Sequence, residues 1–505
     1  MAYRNLQVQI QQDNPVYEWC NALTKSTNNL YNAALFIVRQ LRSGLKKDPS
    51  NRHKNEMEVL ERIEENLPAM NAPCQKTYER RMEYYKKKGK QEGAEEPVLK
   101  QFLFPTADKP LVWYDFLDAL MKASKNPDYF YEILPRQTAQ NVLKNVCQNV
   151  KAYLAAIKKY REDKSGFTGE PQFPKYHKKG GNTTAVITNQ QCRISKDENG
   201  AYWATFSKTK AKCCLGPSIK GVLKEVHICP FHGIFRLNFV FETSEKIPTV
   251  KESSSRICAI DFGVENLAAI TNNIGEPFLL FKGGVVKSAN QWYNKRMAEI
   301  VSKQTKGTTN KFVPTPDSDW VCIRRNAQIN DFFHKTAKII IEWCVSNDID
   351  TIVMGVNKGW KQKSDLGKKK NQEFVEIPFY KFQFMIQYLA QRHGIIVIEQ
   401  EESYTSKASF LDLDSIPVYQ KGVTLKPVFS GYRKGRGNYI RKRKKGWLNA
   451  DFNGSANIGR KAFPDLFNPD VCNGFNNVIV IKHPDQNLVR ANKEKQKRLH
   501  PKKSA

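Results

Sequence analysis

From Arg256 onward the apolar stretches of this chain arrive in an order that few sheets can accommodate. RICAIDFGVENLAAITNN reads as a strand, a turn at 264–266 and a second strand, with an aspartate inside the first; PFLLFKGG supplies a third strand. A long helical pattern, RRNAQINDFFHKTAKIIIEWCVSN, then precedes an apolar strand, DIDTIVMGV. A second helix, IPFYKFQFMIQYLAQRHG, ends at a glycine and precedes another strand, GIIVIEQEES. NADFNGSANIGRKAF closes the series as a helix opening just after an aspartate.

Hairpin strands followed by strand–helix–strand are the order of an RNase H-like sheet. Nucleases built on such a sheet gather carboxylates from several elements around two metal ions about 3.5–4 Å apart, which activate water and stabilise the leaving oxygen of an in-line displacement. Asp261 lies in a buried-looking strand, where an unpaired carboxylate is costly, although a solvated strand-end aspartate is the plainer explanation of it alone. Asp451, at a helix start, is by itself most simply an N-cap. Together they occupy the right places, and a third acid is needed. Its usual position is the end of the strand beside that of Asp261, and there, in VMGVNKGWK, stands Gly355. The next strand, about 4.8 Å farther out, brings Glu399, Glu401 and Glu402. A glycine at 355 leaves a gap through which one of them reaches the metals. Strand alternation puts Glu399 and Glu401 on the face opposite Glu402 if the strand runs that far, so geometry permits the relocation without choosing the glutamate.

The rest of the chain differs in character. YRNLQVQIQ alternates as a first strand, and residues from about Pro15 to Tyr160 read mostly as helix. One helix carries Val142, Val146, Val150, Tyr153, Ile157 and Tyr160 on a single stripe, with Lys144, Lys151, Lys158 and Lys159 opposite. Residues 86–100 are charged and poor in apolar side chains, an exposed loop or insertion. From Gly166 turn formers give way to short strands, AYWATFSK, VLKEVHICP and GIFRLNFVFE among them, which suggest a small barrel or sandwich. In FPKYHKK, Phe173, Lys175, Tyr176, Lys178 and Lys179 interleave aromatic and basic groups as base stacking and phosphate contact require, a weak signal alone.

With 505 residues the chain suits two to four domains, and its 81 Lys+Arg against 50 Asp+Glu leave a charge of +31, which suits a polyanionic partner. The 11 cysteines are scattered without a CxxC, and the adjacent Cys213 and Cys214 suit neither zinc nor an ordinary disulfide, so buried thiols in a reducing cytoplasm are expected. No run approaches the 18 apolar residues of a membrane span, and MAYRNLQVQIQQ is no signal peptide.

Three segments, VMGVNKGWKQ, EESYTSKASFLDLDSIPVY and NADFNGSANIGRK, occur in an order that closely resembles TnpB, the nuclease of one group of insertion-sequence transposons, related to compact type V CRISPR effectors and to Fanzor. FPKYHKK followed by TNQQCRI resembles the TnpB segment leading into the nuclease, so the likeness covers roughly residue 130 onward and leaves the helical region before it undiagnosed. The resemblance implies a multidomain α+β and α/β architecture, a helical recognition domain inserted in a wedge-like β-barrel and followed by an RNase H-like (RuvC) nuclease domain. On this chain the divisions are 1–12 for the first barrel strand, 13–165 for the recognition domain and 166–252 for the barrel. The RuvC domain then occupies 253–404, a nucleic-acid-binding insertion 405–446, the last RuvC motif 447–470 and a basic tail 471–505.

Asp261 and Asp451 match the first and last acids of the family. One branch, like Fanzor, has lost the usual glutamate and carries one just before the YTSK motif, which here is Glu402, two residues before Tyr404. Asn453 and Asn457 become candidates for orienting groups behind these ligands, and Tyr404 and Lys407 for nucleic-acid contact. Many relatives follow the YTS motif with a four-cysteine zinc ribbon; here the stretch has no cysteine, so no structural zinc is expected. Arg433, Lys434, Arg436, Arg441, Lys442, Arg443 and the lysines up to Lys445 are left to steer the nucleic acid. The implied activity is RNA-guided, Mg²⁺-dependent cleavage of both DNA strands by a site holding two Mg²⁺ (or Mn²⁺) ions. Its partners are a guide RNA and double-stranded target DNA bearing a short flanking motif. The expected particle is a monomeric ribonucleoprotein in the prokaryotic cytoplasm, at the nucleoid, without membrane contact. The alternative is a nuclease-inactive RNA-guided DNA-binding repressor, which Gly355 favours and the surviving acids oppose; a non-catalytic RNA-binding protein explains the charge but not the ordered motifs.

Overall fold

The computed structural model describes all residues except 1, 90–94, 109–112, 246–247, 249–254, 357–375, 419–426, 436, 443–445 and 485–505. The chain divides into two compact units, residues 1–245 and 246–505.

In the first unit, β1 (Ala2–Ile10) is followed by helices α1 (Tyr17–Gly44), α2 (Lys54–Tyr84), α3 (Tyr114–Ala123) and α4 (Arg136–Glu162). Six further strands follow: β2 (Ala185–Thr188), β3 (Cys192–Lys196), β4 (Tyr202–Phe206), β5 (Lys212–Gly216), β6 (Val222–Phe231) and β7 (Ile234–Thr243). The stripe read on α4 buries Val142, Val146, Val150 and Ile157, and on the other side Lys144 and Lys151 lie over the rings of Tyr114 and Trp113. Alternation along β7 turns Phe235, Leu237, Phe239 and Phe241 into a core shared with α1, α3 and α4. Each such side chain, fully buried, contributes roughly 1.5–3 kcal/mol.

The expected barrel does not close among the described residues. β1 and β2 are the two edges of a four-stranded sheet ordered β1-β7-β6-β2, and β3-β4-β5 form a separate three-stranded sheet. The chain leaves the first sheet through a 3₁₀ turn at Asn189–Gln191, so the strand that would bridge the edges is spent on the second sheet. Nor is the charged stretch from residue 86 loop throughout, since Tyr85–Gly89 continues α2 as a π-turn; residues 90–94 lie outside the described residues. Cys20, Cys192 and Cys213 are buried, and desolvation pushes the last two thiols up to about 12, as inert thiols require; the expected burial does not extend to Cys214, which is exposed because it alternates to the outer face of β5.

The second unit is built on one six-stranded sheet, ordered β12-β11-β8-β9-β10-β16. Strands β8 (Ile257–Phe262), β9 (Asn266–Asn272) and β10 (Phe278–Lys282) run antiparallel, whereas β11 (Thr351–Val356) lies parallel to β8, and β12 (Ile396–Glu401) parallel to β11. Helices α5 (Gly284–Thr305) and α6 (Pro316–Ser346) join β10 to β11, and α7 (Phe379–Arg392) precedes β12. Cys258, Ile260 and Phe262 face α6 and α7, while Ile257 and Ala259 face α8 (Ala450–Ala462). Between β12 and α8 the chain makes a three-stranded sheet of β13 (Gly431–Lys434), β14 (Asn438–Arg441) and β15 (Gly446–Asn449). The stretch from 471 is not all tail: Val478–Ile481, four apolar residues, form β16 and pair parallel with β10. The basic residues from 485 onward lie outside the described residues, as do Gly359, Trp360 and Lys361 of the VMGVNKGWKQ motif. No helix among the described residues is long and apolar enough to cross a membrane.

Candidate functional site

Alternation on β8 places Asp261 on the face covered by α8. Directly over it, a Cβ on Gly454 would stand 2.7 Å from Asp261 Oδ2. Glycine within a helix costs about 1 kcal/mol relative to alanine; here it opens the space that the carboxylate occupies. The next residue locks the helix down, Ser455 Oγ donating to Ala259 O at 2.8 Å and lying 2.9 Å from Thr271 Oγ1.

Asp451 is not the helix cap. Helix α8 opens one residue earlier, at Ala450, and Asn449 is the N-cap, its Oδ1 accepting from Asp451 N at 2.9 Å and Phe452 N at 3.3 Å. The Asp451 carboxylate is thereby released for other partners. Asn266 Nδ2 donates to its Oδ2 at 2.5 Å, Lys282 Nζ donates in turn to Asn266 Oδ1 at 2.8 Å, and Arg433 Nη2 pairs with its Oδ1 at 2.8 Å.

Glu402 follows the last residue of β12. Gly355 pairs with Gln400 in the ladder, and a Cβ at 355 would lie 2.9 Å from Glu402 Oε2 and 2.5 Å from Ile458 Cδ1. The space that a side chain at 355 would enter is therefore shared by Ile458 of α8 and by Glu402, just past the end of the next strand. A turn aims it there: Thr405 N and Oγ1 both donate to Glu402 O, at 3.2 and 2.8 Å, and Tyr404 takes φ of 63°. For a bulky residue that conformation costs on the order of 1–3 kcal/mol and persists only where surroundings impose it. Asn453 and Asn457 brace the segment that follows, from Thr405 to Phe410, and their hydrogen bonds go to its backbone. Asn453 accepts from Phe410 N at 3.0 Å and donates to Ala408 O at 2.8 Å, and Asn457 donates to Thr405 O and Ala408 O at 2.9 and 2.7 Å.

The other glutamates are otherwise engaged. Glu399 is exposed and accepts from Gln387 of α7 at 3.0 Å. Glu401 pairs with Lys461 of α8 at 2.6 Å and accepts from Ser403. The strand stops at Glu401, so the alternation expected to put Glu401 opposite Glu402 does not extend to Glu402, and Glu401 itself reaches Lys461 of α8.

Electrostatics mark the cluster. Desolvation, then the charges of Glu402 and Asp451, hold the Asp261 carboxyl well above the ordinary carboxylate range, against a lowering by Arg433. Desolvation, with the Glu401 charge, pushes Glu402 up to about 7. Glu401 moves the opposite way: desolvation raises it, but the Lys461 and Ser403 hydrogen bonds prevail and bring it below its usual value. With no cation bound, stability due to a raised carboxyl is present below its unfolded value and is lost as pH rises toward the folded one. Glu402 therefore withdraws up to about 3 kcal/mol between pH 4.5 and about 7. Glu402→Gln is expected to be more stable than wild type at pH 8 in EDTA and equal to it at pH 4.5; urea unfolding at both pH values reads this, and equal stability at pH 8 would refute it.

Three carboxylates form the oxygen donor set preferred by hard divalent cations. Yet among the described residues no three His, Cys, Asp or Glu are grouped so as to hold a metal ion. The chemistry of the donors fits Mg²⁺ or Mn²⁺; their grouping does not while both oxygens of Asp451 are engaged by Asn266 and Arg433.

The residues expected to bind nucleic acid divide. Lys175, Tyr176, Lys178 and Lys179 are exposed, on a segment pinned to α1: Asn28 and Asn32 donate to Lys178 O and His177 O at 3.0 and 3.1 Å, and Arg39 to Pro174 O at 2.5 Å. Phe173 is instead packed edge-on against Tyr153, ring centroids 5.1 Å apart. Lys407, Lys434 and Lys442 are exposed, Lys442 lying over the Tyr432 ring, and Tyr404 is half-buried beside Phe429. Arg441 does not face outward: its Nε and Nη2 donate to Asp412 at 2.9 and 2.6 Å. Together with Asp414, which accepts from Ser409 N and Ser430 N, this fork staples the insertion. Asp412→Ala leaves the guanidinium unpaired and is expected to cost about 3–5 kcal/mol locally, read as faster proteolysis at 431–449 with the rest of the chain protected; unchanged cleavage there would contradict it. Arg436 and Arg443, with Lys444 and Lys445, lie outside the described residues. Sequence reasoning missed Asn266, Lys282, Lys461, Asn28, Asn32 and Arg39; nothing local distinguishes them, since each acts on a residue distant in the chain.

Residues 239–361 match the family model OrfB_IS605, described as a probable transposase, and residues 379–458 match the Cas12f1-like TNB domain. Among solved structures, the chain is similar to Cas12f1 in a complex with sgRNA and target DNA, at 13% identity over 90% of this chain and 98% of that one, with a TM-score of 0.43. It is similar also to Alicyclobacillus acidoterrestris C2c1 in complex with single-guide RNA, at 8% identity over 87% and 70% of the two chains, with a TM-score of 0.35. No curated protein matches the sequence.

Proposed function

We propose that this chain, which carries the OrfB_IS605 transposase and Cas12f1-like TNB domains in the manner of the TnpB family, is an RNA-guided DNA endonuclease with a relocated third carboxylate. The observation that carries the reading is Glu402 filling the gap at Gly355 and raising the Asp261 carboxyl, on which Asp451 also acts. A decayed site has no reason to keep a desolvated acid there, at a cost to stability. Asp261, Glu402 and Asp451 would hold Mg²⁺ or Mn²⁺, which would supply an activated water and charge stabilisation at a phosphodiester. Asn453 and Asn457 brace the segment that follows Glu402, and Ser455 fixes α8 over β8. The exposed lysines 175, 178, 179, 407, 434 and 442 would hold guide RNA and heteroduplex by their backbones, while base pairing reads the target sequence. In this reading the particle works at the nucleoid, on duplex DNA bearing a short flanking motif.

The test is cleavage of a target plasmid by the purified ribonucleoprotein. Cutting in Mg²⁺ that ceases in EDTA and in Asp261→Ala supports the reading. Guide-dependent DNA binding without any cutting by wild type would instead identify a nuclease-inactive DNA-binding repressor.

A further inference from the structure

Asp451 is held in two unlike ways. Its Oδ2 is fixed from inside, by the buried Asn266, itself braced by Lys282. Its Oδ1 is held from outside, by Arg433 on strand β13 of the insertion, whose side chain is 45% exposed. The inner pair comes from the sheet that carries Asp261; the outer one comes from a three-stranded arm whose neighbouring Tyr432 and Lys434 are exposed. A guanidinium on Oδ1 occupies the position from which that oxygen would ligate a cation, and like charges do not share it. Guanidinium also pairs with phosphate through two parallel hydrogen bonds, so a nucleic-acid backbone entering the site competes for it directly.

We infer that Arg433 is the residue that couples strand entry to metal loading: it stands in for the cation on Asp451 and is withdrawn by a phosphate of the incoming strand. This rests on the nuclease reading above. It explains why three acids lie together without ligating geometry, and it makes cation uptake follow nucleic-acid binding.

The test is binding of Mn²⁺ to the full-length chain, followed by loss of the free-ion EPR signal, with and without a short single-stranded oligodeoxynucleotide whose own uptake is subtracted. Wild type is expected to bind Mn²⁺ at least about tenfold more tightly when the oligonucleotide is present. Arg433→Gln is expected to bind that tightly without it and to lose the dependence. Lys287→Gln, which removes an equal charge from the ion pair with Glu265 but leaves Asp451 untouched, is expected to behave as wild type. If Arg433→Gln and wild type bind Mn²⁺ equally without oligonucleotide, while Asp451→Asn abolishes binding, the metal site stands and the coupling is overturned. If Lys287→Gln tightens binding as much as Arg433→Gln, the effect is general charge and the coupling is likewise overturned. If Asp451→Asn changes nothing, the nuclease reading of the site fails with it.

Discussion

Glu402→Gln is expected to lower the rate of target cleavage by at least about 10³-fold with guide and target binding unchanged, because in the proposed nuclease the loss of a metal-ligating charge would remove several kcal/mol of transition-state stabilisation. Glu401→Gln and Glu399→Gln are expected to stay within about tenfold of wild type. The asymmetry follows from what each side chain touches. Glu402 lies against Gly355 and raises the Asp261 carboxyl, Glu401 is neutralised by Lys461, and Glu399 is exposed beside Gln387. Single-turnover plasmid cleavage, with filter binding of guide and target, measures all three; a loss in Glu401→Gln as deep as that in Glu402→Gln would assign the third acid wrongly.

Gly355→Ala is the second large effect. Its methyl group would stand 2.5 Å from Ile458 Cδ1 and 2.9 Å from Glu402 Oε2, so either α8 or the glutamate must move. Overpacking of this kind costs about 1–3 kcal/mol, and displacing an acid by an ångström costs about 10²-fold in rate. Ile458→Val removes the crowded Cδ1 at about 0.5–1.5 kcal/mol when made alone. In the double variant Gly355→Ala/Ile458→Val, stability is therefore expected to recover relative to Gly355→Ala while cleavage stays impaired, since the contact with Glu402 remains. Full recovery of cleavage would show that Gly355 serves only the packing of α8 and not the placement of the acid.

Much of the second unit was legible because its strands are marked by composition. The runs of β8, β9 and β10 are apolar and joined by short polar turns, and helices of the right length separate β10, β11 and β12, so their order and directions follow from chain continuity. β16 escaped for the opposite reason: VIVI is a short run within a basic stretch, and only its pairing with β10 makes it a strand. The barrel was overdrawn because short alternating strands report their faces but not whether edge β1 meets edge β2. Arg441 read as a surface cation because its partner, Asp412, lies on another segment of the insertion.

By itself the sequence determined the order of the five strands from β8 to β12, the two aspartates on β8 and at the start of α8, and the absence of an acid at Gly355, all properties of local pattern. It narrowed the third acid to Glu399, Glu401 and Glu402, and only family likeness picked among them. Tertiary structure decided what each glutamate touches: Glu402 enters the gap just before a left-handed Tyr404, Thr405 bonds its carbonyl, Asn453 and Asn457 brace the following segment, and Lys461 takes Glu401. It also decided that Asp451 is gripped from both sides. Such outcomes depend on distances between segments far apart in the chain, and those are set by packing rather than by periodicity.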